Sequence, residues 1–219
     1  AAIGRRFGSR KTVEDIAPRF REAWCRADQQ ANRWFGELGR TNEIYEREFW
    51  RRVVREVLPD VTDSAACFEE LVEHFARPES WRCFEDVEST ITTLTARGYR
   101  VLIASNFDAR LHRVCDGLPE LRAVFGRVIS SLVGYRKTHP GFFTALAQQA
   151  ECEPRELLMV GDDLQNDVQA ARQAGVAAVH LRREQHLVPR FEDHPDATDG
   201  IGKVPATLAS LTELLEWLP

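Results

Sequence analysis

The sequence predicts an α/β protein in which an all-helical domain precedes a doubly wound parallel sheet. Two observations support this prediction. Residues 9–80 have helical periodicity and no strand signal, whereas after Trp81 short apolar runs alternate with helical stretches. Such alternation is typical of parallel β-α-β units with right-handed connections. We therefore expect a helical domain over residues 1–80 and an α/β core over residues 81–219.

The N-terminal domain is expected to contain several amphipathic helices. Apolar spacing and capping residues predict them at about residues 1–8, 18–27, 44–58 and 63–77. Thr12 and Asp15 have the spacing of a capping box, and Pro18 suits the first turn of a helix. The first helix ends at Gly8, but no initiating Met, N-cap residue or turn signal precedes it. From this mid-helix start we expect the natural protein to extend upstream of Ala1.

The second domain is expected to alternate strands with helices. The apolar runs predict strands at residues 99–105, 128–133, 157–160 and 177–181, with a last helix over about 206–218 and loop chemistry over 182–200. Continuous apolar runs of this kind suit strands that are covered on both faces. Ligands of open α/β sheets bind at the carboxyl ends of the strands, so the residues just after each strand are the candidates for a site.

Composition narrows the classes of partner. The chain is 43% apolar and 29% charged, which is typical of a globular protein, and its formal net charge is −5. An acidic balance argues against nucleic acid or an anionic membrane surface as a partner. The five cysteines are widely spaced without a CxxC pair, which suggests free thiols in a reducing compartment. Without a signal peptide or a membrane-spanning stretch, we expect a cytoplasmic protein.

Polar residues follow the first two predicted strands. Ser105 and Asn106 can offer hydrogen-bond donors to an oxyanion beside a helix start, although with Asp108 they could simply form a turn and an N-cap. Lys137 lies just before the helix that begins near Pro140. A lysine there can neutralise a phosphoryl group, although taken alone it could be an ordinary surface lysine.

The third strand ends in the most informative stretch, Gly161-Asp162-Asp163-Leu164-Gln165-Asn166-Asp167. Three carboxylates so close together repel one another unless a cation offsets their charge, and such oxygen ligands suit Mg²⁺. Asp162, Asp167 and, as a further candidate, Asp163 are therefore predicted metal ligands. Alternatively, Asp163 could cap the next helix and Asp167 could interact with its N-terminal dipole. For the cluster as a whole we favour the metal interpretation.

Taken in order, residues 101–108, 137–140 and 160–167 resemble motifs II, III and IV of the haloacid dehalogenase-like (HAD) hydrolase superfamily. The similarity covers residues 81–219 as a HAD-like Rossmannoid core, and residues 1–80 resemble the helical (C1-type) cap domain that follows motif I. The Ser-Asn-Phe-Asp form of motif II is similar to that of poorly characterised members of the superfamily. One departure is Thr138, where a proline commonly follows the lysine.

The resemblance implies hydrolysis of a phosphate monoester of a small phosphorylated metabolite through an aspartyl-phosphate. It implies that Ser105 binds the phosphoryl group, that Asn106 lies at the cleft, and that Lys137 binds both phosphate and nucleophile. Asp162 would ligate Mg²⁺, and Asp167 would support the metal directly or through water. Metal-free dehalogenases lack the metal-binding acid of motif IV, so the carboxylates favour a phosphatase.

Motif I, a strand followed by Asp-x-x-x-Thr that would carry the nucleophile, has no counterpart in these residues. Its strand would be the centre of the sheet, and its absence would leave two neighbouring strands without a partner. We considered three outcomes: another segment or a second chain fills the slot, the sheet rearranges, or the sequence is a fragment of a longer protein. We favour the last, and expect the 219 residues to be inactive on their own.

Two other functions compete with phosphate monoester hydrolysis. A HAD-fold pseudoenzyme or phosphate-binding protein that has lost motif I would keep the phosphate pocket without catalysis. An unrelated phosphoacceptor such as a receiver domain is disfavoured by the long helical domain and by the late position of the acid pair. The substrate's identity and the oligomeric state are left open by the sequence.

Overall fold

The N-terminal part of the chain is helical in the computed structural model, which describes residues 1–35, 37–183 and 206–219. Its helices are α1 (Ala2–Arg6), α2 (Val13–Phe35), α3 (Glu43–Val57) and α4 (Ser64–Phe75). The apolar faces of α2, α3 and α4 meet around Ala23, Phe49, Val53 and Cys67, all of which are buried. Within the described ranges no helix is long and apolar enough to cross a membrane.

Helix α2 begins at Val13, directly after Thr12, as the capping-box spacing of Thr12 and Asp15 predicted. The prediction that Pro18 lies in its first turn was wrong, because α2 starts at Val13 and contains Pro18 in its interior. The capping box determines this start. The Asp15 amide donates to Thr12 Oγ1 over 3.2 Å, and the Thr12 amide donates to Asp15 Oδ2 over 2.9 Å. Two satisfied amides at the helix start offset the hydrogen bond that proline cannot donate one turn later.

The rest of the chain alternates strands and helices, which confirms the predicted α/β fold class. The strands are β1 (Leu102–Ser105), β2 (Gly126–Ile129), β3 (Leu158–Gly161), β4 (Ala177–Leu181) and β5 (Thr207–Leu208). The helices are α5 (Val87–Ala96), α6 (Arg110–Asp116), α7 (Ser130–Val133), α8 (Pro140–Ala150), α9 (Ala170–Gln173) and α10 (Leu214–Trp217). A π-helical segment, Leu164–Gln169, leads into α9.

The strands form two separate parallel ladders. β1 pairs with β2, and β3–β4–β5 form the other ladder in that order. In the described part of the chain no strand pairs with the free edge of β1 or of β3. Residues from both ladders, including Val128 and Met159, pack into one apolar cluster with Phe142 and Leu146 of α8. Side chains, rather than backbone hydrogen bonds, therefore join the two halves of the core.

The second predicted strand, 128–133, was wrong in its C-terminal half. β2 stops at Ile129, and the chain turns into the short helix α7, which Gly134 ends with a φ of 84°. The Ser130 hydroxyl donates to the Phe107 carbonyl over 3.1 Å, a contact outside the ladder. Leu132 is half exposed, so the apolar run did not correspond to a buried strand.

The single helix predicted over 206–218 was also wrong at its start. The His180 amide donates to the Ala206 carbonyl over 2.9 Å, and the Arg182 amide donates to the Leu208 carbonyl over 2.7 Å. This pairing with β4 makes Thr207–Leu208 a strand, and the chain becomes α-helical only at Leu214. Tertiary pairing here overrides local helix propensity. Most of the predicted loop 182–200 lies outside the described residues.

We predict that Leu146→Ala lowers the free energy of unfolding by about 2–5 kcal/mol, because it removes buried methyl groups and leaves a cavity. Leu146 is 5% exposed and lies in the cluster that joins the two ladders. Leu132→Ala is the matched control, since Leu132 is 51% exposed, and should cost about 0.5 kcal/mol or less. Urea denaturation followed by circular dichroism measures both, and similar losses for the two variants would contradict this core.

Candidate active site

The residues singled out by the sequence analysis lie at the carboxyl ends of β1 and β3. Ser105 is the last residue of β1 and Asn106 follows it, while Gly161 ends β3. Lys137 lies in the loop between α7 and α8. β1 and β3 belong to different ladders. The loop that carries Lys137 contacts residues at the carboxyl-terminal ends of both strands.

Lys137 is not a surface lysine. Its Nζ lies 2.6 Å from Asp167 Oδ1, and the two side chains are only 13% and 3% exposed. Its backbone amide donates to Asn106 Oδ1 over 2.9 Å. The motif II amide therefore fixes the main chain of the lysine, while its ammonium reaches the carboxylate beyond β3.

Asp167 is held from two sides. It lies in the π-helical segment, and its second carboxylate oxygen accepts a hydrogen bond from the Asp163 amide over 3.1 Å. A Cβ on Gly161 would lie only 2.1 Å from Asp167 Oδ2. Glycine at the end of β3 is therefore what lets the Asp167 carboxylate pack against the backbone.

Asp163 adopts the capping role that was the alternative interpretation. Its Oδ1 accepts from the amides of Gln165 and Asn166 over 3.0 and 2.8 Å, and its Oδ2 accepts from Asn166 Nδ2 over 2.6 Å. Both carboxylate oxygens are thus used within the turn. This geometry leaves Asp162, which is exposed, as the stronger candidate for a direct metal ligand. Both oxygens of Asp167 are engaged, one by Lys137 and the other by the Asp163 amide.

Asp162 differs from Asp167 in being exposed at the turn. Its carbonyl oxygen lies 3.2 Å from Nε2 of His180, a buried residue of β4. His180 was not predicted from the sequence as part of this site. The available signal was a single polar residue within the apolar run of β4, at the position that pairs with Gly161.

The donor set suits a hard cation without forming a complete cage. Within residues 1–35, 37–183 and 206–219, no three His, Cys, Asp or Glu side chains converge as a metal site. Mg²⁺ is commonly bound through one or two carboxylates, with waters and substrate phosphate oxygens as its other ligands. Asp162 and Asp167 supply carboxylates of this kind close together in the sequence after β3, and Lys137 supplies a fixed positive charge beside Asp167.

The chain was compared with known proteins. The family model for haloacid dehalogenase-like hydrolases matches residues 10–175. A mouse protein named haloacid dehalogenase-like hydrolase domain-containing protein 3 is 31% identical over 170 residues, which cover 75% of this chain and 66% of that protein. The match thus spans just under two thirds of the mouse protein's length. A phosphoglycolate phosphatase of Haemophilus influenzae is 31% identical over 123 residues, 52% of each chain.

Solved structures share the fold at low sequence identity. The L-2-haloacid dehalogenase RSc1362 superposes with a TM-score of 0.69 at 15% identity, covering 99% of this chain and 90% of that one. The HAD hydrolase YfnB of Bacillus subtilis, whose structure has bound magnesium, superposes with a TM-score of 0.66 at 14% identity, covering 99% and 88%. At such identities the likeness concerns the fold alone.

We predict that Gly161→Ala lowers the free energy of unfolding by about 1–3 kcal/mol, since the new methyl group would displace the buried Asp167 carboxylate. The control is Gly126→Ala in β2, where a Cβ would meet only the flexible end of Gln149, at 3.2 Å. That change should cost about 0.5 kcal/mol or less. Chemical denaturation of both variants tests the close approach of Gly161 to the Asp167 carboxylate. An unchanged free energy of unfolding in Gly161→Ala would contradict it.

Proposed function

Because the chain belongs to the haloacid dehalogenase-like hydrolases, we propose that its site binds the phosphoryl group of a small phosphorylated metabolite together with Mg²⁺. The reaction we propose for this site is hydrolysis of a phosphate monoester. Phosphatases among the relatives, including the Haemophilus enzyme, support this class of substrate.

The observation that carries the proposal is the buried Lys137–Asp167 pair between the ends of β1 and β3. Burying a lysine and a carboxylate is costly unless each compensates the other. Asp162 adds a second carboxylate on the turn that follows β3, and carboxylate oxygens are the ligands that Mg²⁺ prefers. A divalent cation bound there would attract a phosphate dianion, whereas an uncharged substrate would need no such arrangement.

Each residue has a distinct proposed role. Ser105 and Asn106 bind the phosphoryl oxygens at the end of β1, and Lys137 neutralises the negative charge that develops there. Asp162 ligates Mg²⁺, and Asp167 orients Lys137 while supporting the metal directly or through water. When bound, Mg²⁺ supplies further charge neutralisation at the phosphoryl oxygens.

The nucleophile is the missing part of this chemistry. The 219 residues contain no Asp-x-x-x-Thr sequence after a strand. We therefore propose that they bind phosphate and Mg²⁺ but do not turn over substrate, and that an aspartyl-phosphate forms only in a longer form that supplies the aspartate. In the described ranges no strand pairs with the outer edge of β1 or of β3, which supports this proposal because a strand that carries the nucleophile would pair with them.

A phosphate-binding protein of the same fold without catalysis is the second candidate. It is favoured because the one Asp-x-x-x-Thr stretch, residues 86–90, lies at the start of helix α5 and follows no strand, and it predicts the same binding by the 219 residues. The two differ in the upstream reading frame: an in-frame strand followed by Asp-x-x-x-Thr excludes the second candidate. They differ also in turnover of p-nitrophenyl phosphate by the protein expressed with that upstream sequence.

The proposal also covers the cellular compartment and the class of partner. All five cysteines are free thiols, which supports a reducing compartment, and we propose a cytoplasmic site of action. The formal charge of −5 argues against nucleic acid or an anionic membrane surface as a partner, and it is compatible with a small anionic metabolite bound in a local pocket.

We predict that the 219-residue chain binds inorganic phosphate in the presence of Mg²⁺ and that Lys137→Ala weakens this binding by about tenfold to a hundredfold, the effect of losing one charge-assisted hydrogen bond. Asp162→Asn should abolish the enhancement of phosphate binding by Mg²⁺. Isothermal titration calorimetry with and without Mg²⁺ measures both effects.

The matched control is Lys11→Ala, which removes a lysine from the segment before α2 and should leave phosphate binding unchanged. Equal weakening by Lys11→Ala and Lys137→Ala would contradict the proposed site. So would turnover of p-nitrophenyl phosphate by the 219 residues, or turnover by the upstream-extended protein that is indifferent to Asp162→Asn.

A further inference from the structure

The loop that carries Lys137 is attached by its backbone to the helical N-terminal module. The Arg136 amide donates to the Gly39 carbonyl over 2.7 Å, and the Thr41 amide donates to the Gly134 carbonyl over 3.1 Å. These two bonds form an antiparallel bridge between residue 40 and residue 135. The segment just before α3 thus runs beside the segment just before Lys137.

A buried ion pair reinforces this attachment. The Arg136 guanidinium donates to both carboxylate oxygens of Glu46 in α3, over 2.8 to 3.0 Å. The two side chains are only 10% and 2% exposed. The Thr41 hydroxyl donates to the same carboxylate over 2.6 Å, and the guanidinium lies 4.8 Å from the centre of the Phe49 ring. A forked, stacked arginine of this kind has little freedom to move.

Three outer contacts extend the same attachment. His139 Nε2 lies 3.0 Å from Glu37 Oε1, beyond Lys137 in the loop. Glu43, the first residue of α3, accepts hydrogen bonds from the Ser131 hydroxyl and from the Ala109 amide. The helical module therefore contacts the lysine loop on both sides of Lys137.

We propose that Glu46 is a positioning residue for Lys137: through Arg136 it holds the loop so that the lysine ammonium stays at the phosphate site. The proposal rests on the function proposed above. Glu46 touches neither Asp167 nor the ends of β1 and β3 in any contact of the described residues. Its effect is transmitted through one peptide unit, because Arg136 and Lys137 are consecutive and the amide of Lys137 is itself bound by Asn106.

The ion pair contributes more to position than to stability. A buried pair gains little net stability over well-packed apolar side chains, because removing both charges from water offsets their attraction. Its bidentate geometry, however, restricts the arginine to one orientation. The helical module would in this way determine where the phosphate-binding lysine lies, although it contributes no predicted site residue of its own.

The first test measures the loop directly, without any ligand. In the 219-residue chain, Glu46→Gln should speed amide hydrogen exchange of Arg136 and Lys137 by about tenfold, while β3 amides exchange as in the wild type. Arg136→Lys, which keeps the charge but loses the forked geometry, should act in the same direction. If Glu46→Gln fails to fold, Thr41→Val removes one hydrogen bond to Glu46 and should give a smaller increase at the same amides.

Asp86→Asn is the matched control for loss of a buried ion pair. Asp86 lies 2.8 Å from Arg183, with side chains 11% and 12% exposed, and neither residue belongs to the loop. This control should leave exchange at Arg136 and Lys137 unchanged. Unchanged exchange in Glu46→Gln, or an equal rise in Asp86→Asn, would overturn the positioning role.

The second test asks whether the effect passes through Lys137. Glu46→Gln should weaken binding of inorganic phosphate with Mg²⁺ several-fold when Lys137 is present, and should have no further effect in a Lys137→Ala background. Equal weakening in both backgrounds would overturn the proposal. If the wild type binds no phosphate, the proposed function fails, and the exchange measurement still decides whether Glu46 positions the loop.

Discussion

The arrangement of the candidate site depends on the ion pair between Lys137 and Asp167. The two ladders share no backbone hydrogen bonds in the described residues, so the polar connection between their carboxyl ends is made by side chains. The lysine loop is bound to the β1 side through Asn106 and to the β3 side through Asp167. Since each buried charge would be costly alone, neither residue can be removed without leaving the other uncompensated.

Several features of the chain serve this pair. Gly161 leaves room for the Asp167 carboxylate against the strand backbone, and the Asp163 amide binds its second oxygen. Asp163 in turn uses its own side chain to begin the π-helical segment that carries Asp167. On the other side, α3 holds Arg136 through Glu46. The site is thus assembled from short-range turn chemistry near β3 and from long-range contacts at the lysine loop.

The difference between local turn contacts and long-range contacts explains which features could be predicted from the sequence. Strand 177–181 was correctly bounded, because an apolar run between Gly175 and two arginines has strong local signals. The cluster near Asp162 was likewise visible in local spacing. The end of β2 and the pairing of residues 207–208 were missed, because contacts with distant segments decide them. The Glu46–Arg136 pair joins residues 90 positions apart, and no local pattern indicates it.

We propose that the carboxyl ends of β1 and β3 form one site for phosphate and a metal. A crystal structure of the 219-residue chain with phosphate and Mn²⁺ tests this most directly, because the anomalous signal of manganese locates the metal. We predict a manganese peak at the Asp162 and Asp167 carboxylates, with a phosphate oxygen about 3 Å from Lys137 Nζ. Phosphate bound elsewhere, or manganese away from both carboxylates, would contradict the account.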